Sequence, residues 1–233
     1  MRIIILAAGV GSRLGRPIPK PLTTLADGET ILARQLRLLR EGFDRPQISI
    51  VVGFKKDMIM EAHPDVGYVY NERFGETNTS KSLLRGLLQT GDDPVLWMNG
   101  DVVFEESLVS TLAPAIGDDV SFVAVNHAEV DDEEVKYTLD GDGSITALSK
   151  GVPTARARGE AVGINYVSGS DKSHLVARLA DVADDDYFER GIEMTIDRDD
   201  RRWVPLDVAG FCVEVDFESD LRDVNRQLAG DSG

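Results

Sequence analysis

Gly9, Gly11, Ser12, Arg13 and Lys20 crowd into one short stretch, "LAAGVGSRLGRPIPKPL" (Leu6 to Leu22). Bare glycine backbone lets amide N–H groups approach oxyanions closely, and a guanidinium and an ammonium add fixed positive charge. The chemistry this combination indicates is phosphate binding. Arg2, Arg13, Arg16 and Lys20 all precede Asp27, the first acidic residue, in a chain whose formal net charge is −16. A local anion site in an acidic protein follows. Pro17, Pro19 and Pro21 stiffen the loop and lower the entropy lost on ordering it. Two common phosphate loops do not fit. The dinucleotide fingerprint needs glycine where Leu14 stands, and "IVVGF" lacks the acid that would hold a ribose. The Walker pattern needs Gly-Lys-Ser/Thr five residues after its first glycine, which neither Gly9 nor Gly11 supplies.

The arrangement that does fit is G-x-G-x-R-(x)n-P-K. It resembles the signature of the nucleotidyltransferase family that includes the sugar-1-phosphate nucleotidyltransferases and small-molecule cytidylyltransferases. The resemblance implies that Leu6, Ala7, Ala8, Gly9, Gly11 and Ser12 line the nucleotide. It implies further that Arg13 faces the β- and γ-phosphates and that Lys20 bridges the α-phosphate and an incoming acceptor phosphate, Arg13 and Lys20 being the catalytic pair. In "VLWMNGDVVF" (Val95 to Phe104), Asp101 follows a buried strand, where open α/β sheets build their sites; in the family a Gly-Asp here holds the metal. Asp216 lies in "GFCVEVDFESDL" (Gly210 to Leu221), which resembles the family ending W-x-E-I-D-T-x-E-D-L, with Cys212 and Phe217 at the usual tryptophan and threonine. The implied cofactor is Mg²⁺, held by Asp101 and Asp216. Glu214 is assigned by alternation to the opposite side of the same strand, in a structural role or as a support behind the residues that hold the metal.

"YNERFGETNTSKSLLRG" (Tyr70 to Gly86) resembles a stretch of the phosphocholine and aminophosphonate cytidylyltransferases. This implies CTP as donor, with Asn78 and Ser82 facing the base. A helix cap at Asn78 or Thr79 is the other reading, and the two can coexist. "ITALSKGVP" and "GEAVGINYVSGSD" resemble acceptor-binding segments and nominate Lys150 and Glu160 beside Lys20. "DDYFERGIE" offers Tyr187 and Glu189 as further lining, with Phe188 and Ile192 as core.

The elements that must position these residues are legible as apolar β-branched runs alternating with amphipathic segments. Strands are expected at 2–6, 47–53, 66–70, 94–99, 120–125 and 160–168, and helices at 30–42, 80–91, 171–181, 187–198 and 217–228. A hairpin is expected over 134–150 about the "DGDG" turn. The expected fold is a three-layer α/β/α sandwich with a mostly parallel mixed sheet, a Rossmann-like nucleotidyltransferase fold carrying a small β insertion. One domain over 1–233 is expected, with a nucleotide-binding half at about 1–125 and an acceptor-binding half at about 126–216.

Composition narrows the partners. The strong negative charge argues against nucleic acid and anionic membranes. Cys212 is the sole cysteine, and His63, His127 and His174 are scattered, so any metal would be a hard ion on carboxylates. No apolar run approaches the length of a membrane span, and a cytoplasmic monomer or homodimer is expected. The acidic runs 129–134, 181–186 and 197–200 read as solvated faces. With 7 lysines, 18 arginines and 26 aspartates, a salt-rich habitat is a further expectation. The expected reaction is CTP plus a small phosphate or phosphonate (phosphocholine, 2-aminoethylphosphonate or a polyol phosphate) giving a CMP adduct and pyrophosphate. Its rivals are a sugar-1-phosphate nucleotidyltransferase using dTTP, UTP or GTP, and a regulatory module that binds nucleotide without turnover.

Overall fold

The computed structural model describes residues 1–127, 130, 133–208 and 210–230. Its centre is β1 (Arg2–Ala7), flanked in parallel by β2 (Gln47–Val52) and β4 (Val95–Asn99), with β3 (Gly67–Tyr70) beyond β2. β9 (Glu160–Val167) lies antiparallel between β4 and β6 (Phe122–Asn126), and β10 (Val204–Asp207) pairs in parallel with β6. The order is β10-β6-β9-β4-β1-β2-β3, and β9 runs against the other strands of this path. β7 (Lys136–Leu139) and β8 (Ile145–Ser149) form the small inserted hairpin, joined to β9 through Lys136 opposite Glu160.

The unbroken apolar texture of "RIIILA" and "VLWM" has a direct cause: both strands are covered on both faces. Ile3 and Ile5 point to the side covered by α1 (Ile31–Gly42), α2 (Lys56–Ala62) and α4 (Leu108–Gly117). Ile4 and Leu6 point to α3 (Thr79–Leu87), α5 (Lys172–Asp181) and α6 (Phe188–Asp199). On that second face Trp97 meets Phe188 and Trp203 edge-on, at centroid distances of 5.7 and 6.2 Å. Thr30 starts α1 by accepting a hydrogen bond from the Ala33 amide at 3.1 Å, the ordinary work of an N-cap threonine. The three-layer sandwich is therefore as expected.

Two short strands, β5 (Val102–Phe104) and β11 (Cys212–Glu214), pair antiparallel beside the main sheet. The closing helix α7 (Glu218–Leu228) packs Leu221 and Val224 against Leu14, Leu25 and Val103. The sequence pattern does not announce α2, α4, β5 or β10. α2 is a short helix that buries Ile59 alone of its residues, and α4 carries Pro114 inside it, which reads as a breaker. β5 is too short for its alternation to be seen.

Candidate active site

A cleft of about 660 Å³ opens at the carboxyl ends of β1 and β4, the position where open α/β sheets bind ligands. One wall is the loop after β1. Leu6, Ala7, Gly9, Gly11 and Arg13 line the cleft, and Ser12 begins a single 3₁₀ turn. Ala8 lies behind this lining, its carbonyl accepting from the Phe54 amide at 3.0 Å. Gly11 has φ of +63°, and a Cβ there would come within 3.2 Å of the Lys20 Cβ, so both backbone shape and space call for glycine.

The charged centre is a small network. Lys20 Nζ donates to Asp101 Oδ2 at 2.8 Å and to Asp216 Oδ1 at 2.5 Å, while an Arg13 guanidinium N–H reaches Asp216 Oδ2 at 2.9 Å. Lys20 is 8% exposed. Burial alone would lower its pKa, but the Asp101 and Asp216 carboxylates outweigh burial and hold the ammonium above the ordinary lysine value. Burial would likewise raise Asp216, yet Lys20 and Arg13 hold it below the usual carboxylate range.

Backbone architecture explains how aspartates so distant in sequence meet. Asp101 sits in the turn between β4 and β5, and Asp216 follows β11, the partner of β5. The Val215 amide donates to the Asp101 carbonyl at 3.0 Å, so the two residues are tied at the main chain. The Asp216 and Phe217 amides both donate to Asp220 Oδ2, at 2.8 and 2.7 Å, which fixes the start of α7 beneath them. From the other side, buried Gln35 on α1 donates to the Asn99 and Val102 carbonyls at 2.9 and 2.8 Å and holds the turn that carries Asp101.

A magnesium-type ion fits these residues. Asp101 and Asp216 already share one cation, and Asp101 Oδ1 is buried without a hydrogen-bond partner. Among the described residues no group of three or more His, Cys, Asp or Glu is arranged as a protein-only metal cage. A hard ion such as Mg²⁺ takes one or two carboxylates and completes its shell from phosphates and water.

Glu214 requires a correction. β11 ends at Glu214, so alternation does not carry on to Asp216, and both Glu214 and Asp216 line the cleft. Its Oε1 accepts from Asn99 Nδ2 at 2.7 Å. Burial and then the Asp101 charge raise its pKa, against the Asn99 donor. Gly163 makes the room: at φ of +70°, a Cβ there would lie 2.2 Å from Glu214 Oε1. Neither Asn99 nor Gln35 carries a motif that singles it out, and for Glu214 the available signal is its place two residues before Asp216 in the same short segment.

The remaining candidates divide. Lys150 and Glu160 both line the cleft, with Lys150 Nζ 5.4 Å from the Tyr187 ring centroid and Glu160 accepting from Asn126 Nδ2 at 2.6 Å. Tyr187, Phe188 and Glu189, at the start of α6, complete that wall. Asn78 and Ser82 do not border the cleft. Asn78 caps α3 by accepting from the Thr79 amide at 2.8 Å, and its Nδ2 donates to the Asp185 carbonyl at 3.1 Å. Ser82 Oγ is buried and accepts from Asn71 Nδ2 at 3.0 Å. Thr79 is the α3 residue that reaches the cleft.

Residues 3–149 match the MobA-like NTP transferase domain. Over 126 residues the chain is 39% identical to CMP-5'-(3-aminopropyl)phosphonate synthase of Streptomyces rubellomurinus, covering 49% of this chain and 19% of that protein. Over 155 residues it is 36% identical to the bifunctional protein GlmU of Acidithiobacillus ferrooxidans, covering 63% of this chain and 32% of that protein. The chain thus spans well under half the length of these relatives. Its fold superposes on CTP:phosphocholine cytidylyltransferase of Streptococcus pneumoniae (LicC) with a TM-score of 0.78, at 18% identity and 97% and 98% coverage of the two chains. It also superposes on the inositol-1-phosphate CTP transferase of T. maritima, with a TM-score of 0.75 at 16% identity and 97% and 96% coverage. Because the matched region takes in the glycine loop, Arg13, Lys20 and Asp101, and covers more than half of the chain, this protein belongs to the MobA-like NTP transferase family.

Proposed function

We propose that this chain is a Mg²⁺-dependent cytidylyltransferase that transfers CMP from CTP to a small phosphate or phosphonate acceptor and releases pyrophosphate. The observation that carries the reading is the network of Arg13, Lys20, Asp101 and Asp216 beside a glycine loop, at the edge of a cleft large enough for a nucleotide and a small acceptor. The choice of CTP draws support from the names of one sequence relative and of two proteins of the same fold.

In this reading the β1 loop amides and Arg13 take the triphosphate, whose roughly four negative charges match the cationic start of the chain. The base lies toward the N-terminal turn of α3, which Asn78 and Ser82 hold in place and where Thr79 borders the cleft. Lys20, drawn from the aspartates by the entering anions, binds the α-phosphate and the acceptor together. An acceptor oxygen attacks the α-phosphorus in line; the bond to the α,β-bridging oxygen breaks, and that oxygen leaves with pyrophosphate and the electron pair. No covalent enzyme intermediate forms. Asp101 and Asp216 would hold Mg²⁺, which when bound offsets the charge developing on the transferring phosphoryl group. Lys150 and Glu160 position the acceptor.

The stretch shared with GlmU favours one other reading, a sugar-1-phosphate nucleotidyltransferase. A pyrophosphate-release assay separates the two. CTP, UTP, GTP and dTTP are each run against phosphocholine, 2-aminoethylphosphonate, a polyol phosphate and glucose 1-phosphate. Release with CTP and a non-sugar acceptor is expected. Release confined to glucose 1-phosphate supports the sugar enzyme, and tight CTP binding without release supports a regulatory module.

A further inference from the structure

We infer that the Arg16–Glu218 ion pair is a latch that keeps the phosphate loop docked on the start of α7 while Arg13 exchanges Asp216 for the triphosphate. Arg16 and Glu218 are thereby positioning residues for nucleotide binding. The inference rests on the transfer reading above and deepens it, because it names residues outside the cleft that set the loop for the nucleotide.

The loop from Ala8 to Pro19 is held to the start of α7 at three points. The Arg13 guanidinium reaches Asp216 Oδ2 at 2.9 Å, and Leu14 is buried with Leu221 and Val224. Arg16 forks onto Glu218, donating from Nε to Oε1 at 2.9 Å and from Nη2 to Oε2 at 3.2 Å. The three points do not serve alike. Arg13 and Asp216 line the cleft, so an entering triphosphate competes for the guanidinium and the first contact is given up as the site fills. Arg16 and Glu218 lie outside that lining, and their pair outlasts ligand entry.

Backbone shape shows why Leu14 alone does not suffice. Gly15 follows it at φ of +66°, with no heavy atom within 4 Å of the place a Cβ would take, so the chain has a free joint there. Beyond that joint Pro17 and Pro19 fix φ on the way to Lys20, and a hold on Arg16 is carried stiffly to the catalytic ammonium. Lys55, at the turn before α2, braces the other flank by donating to the Pro17 carbonyl. Glu218 is the first residue of α7, where the helix dipole favours a carboxylate and Asp220 fixes the backbone. With side chains 33% and 50% exposed the pair is a modest one, and its value lies in the fork geometry and in the segment it holds.

Trypsin reads the loop directly. Between Arg2 and Arg34 the bond open to it is Arg13–Leu14, because Arg16 and Lys20 both precede prolines. Cutting requires several residues on each side to leave α7, so the rate follows the open population of the loop. Arg16→Ala and Glu218→Ala should each speed that cut by about threefold to fivefold, and the double variant should go no further, as one shared contact requires. Cuts elsewhere in the chain should keep their native rate, which separates loop release from general unfolding. By calorimetry each single variant should weaken CTP by a similar factor, and in pyrophosphate release KM for CTP should rise more than kcat falls. Native cleavage at Arg13–Leu14 in both single variants, additive effects in the double variant, or native CTP affinity despite faster cleavage overturns the latch. Should CTP neither bind nor react with the native protein, the transfer reading fails by itself, and the proteolysis cycle still decides whether Arg16 and Glu218 hold the loop.

Discussion

At the scale of single residues, Lys20 and Glu189 make opposite claims on their surroundings. Lys20 lies between the two carboxylates that would hold a metal, so its ammonium and a divalent ion compete for them. Lys20→Met should leave Asp101 without its cation and Asp216 with Arg13 alone, and cost about 3 kcal/mol of stability in metal-free buffer. The same variant should bind Mn²⁺ without nucleotide at least about tenfold more tightly than the native protein, with Mn²⁺ restoring much of its melting temperature. Titration calorimetry and thermal melts check both; unchanged Mn²⁺ affinity would show that the aspartates do not form the metal site. Glu189 has its carboxyl raised from 4.5 to about 7 by burial, with Lys150, Glu193 and Glu214 as its charged neighbours. Between those values the folded chain binds more protons than the unfolded chain, so the ionised group erodes stability as pH rises through the window. Glu189→Gln should therefore gain up to ~3 kcal/mol over the native protein at pH 8 and far less at pH 5. Denaturant unfolding at the two pH values measures the difference, and an equal effect at both would contradict the burial argument.

At the scale of elements, the site depends on the β4–β5 turn and the β5–β11 pair more than on any helix. Gln35 is the strut of that turn. Gln35→Ala leaves the Asn99 and Val102 carbonyls without their buried donor, at a cost of ~1–3 kcal/mol. It should also reduce turnover through a displaced Asp101, a loss that extra Mg²⁺ partly restores; full activity would remove Gln35 from the account. These elements also mark where sequence reading stops. β1, β2, β4, β6 and β9 are legible because sheet faces buried on both sides demand long apolar runs, and α1 and α3 because their buried stripes repeat at helical spacing. Arg13, Lys20 and Asp101 are legible because the chemistry confines them to one loop and one strand end. Asp216 shows itself through its resemblance to a family ending. Gln35, Asn99 and Gly163 are silent, since their roles are defined by partners far along the chain: Gln35 by a turn it does not belong to, and Gly163 by the Glu214 side chain it makes room for. The environment of Ser82 is silent for the same reason, since its Oγ is met by Asn71 inside the fold.

At the scale of the whole molecule, acid outnumbers base, and some of it meets the cationic loop: Asp101 and Asp216 pair with Lys20, and Glu218 pairs with Arg16 at 2.9 Å. Part of it is paired rather than merely solvated: Asp184 with Arg73 at 2.8 Å, and Asp199 with Arg178 at 2.9 Å. Part of the 129–134 run lies outside the described residues. Among the described residues no helix is long and apolar enough to cross a membrane. At a net charge of −16, self-repulsion opposes the compact state and is screened by salt. The melting temperature should rise between 0.1 and 2 M KCl, by several degrees for a ΔΔG of about 1–2 kcal/mol; a salt-independent melt would refute a salt-adapted surface. The central claim, that Arg13, Lys20, Asp101 and Asp216 form one nucleotidyl-transfer centre, is tested most directly by pyrophosphate release from CTP and the best acceptor in native protein, Arg13→Ala and Asp216→Ala. The predicted result is robust release by the native protein and a fall of roughly a hundredfold or more in each variant. Near-normal turnover in either variant would contradict it.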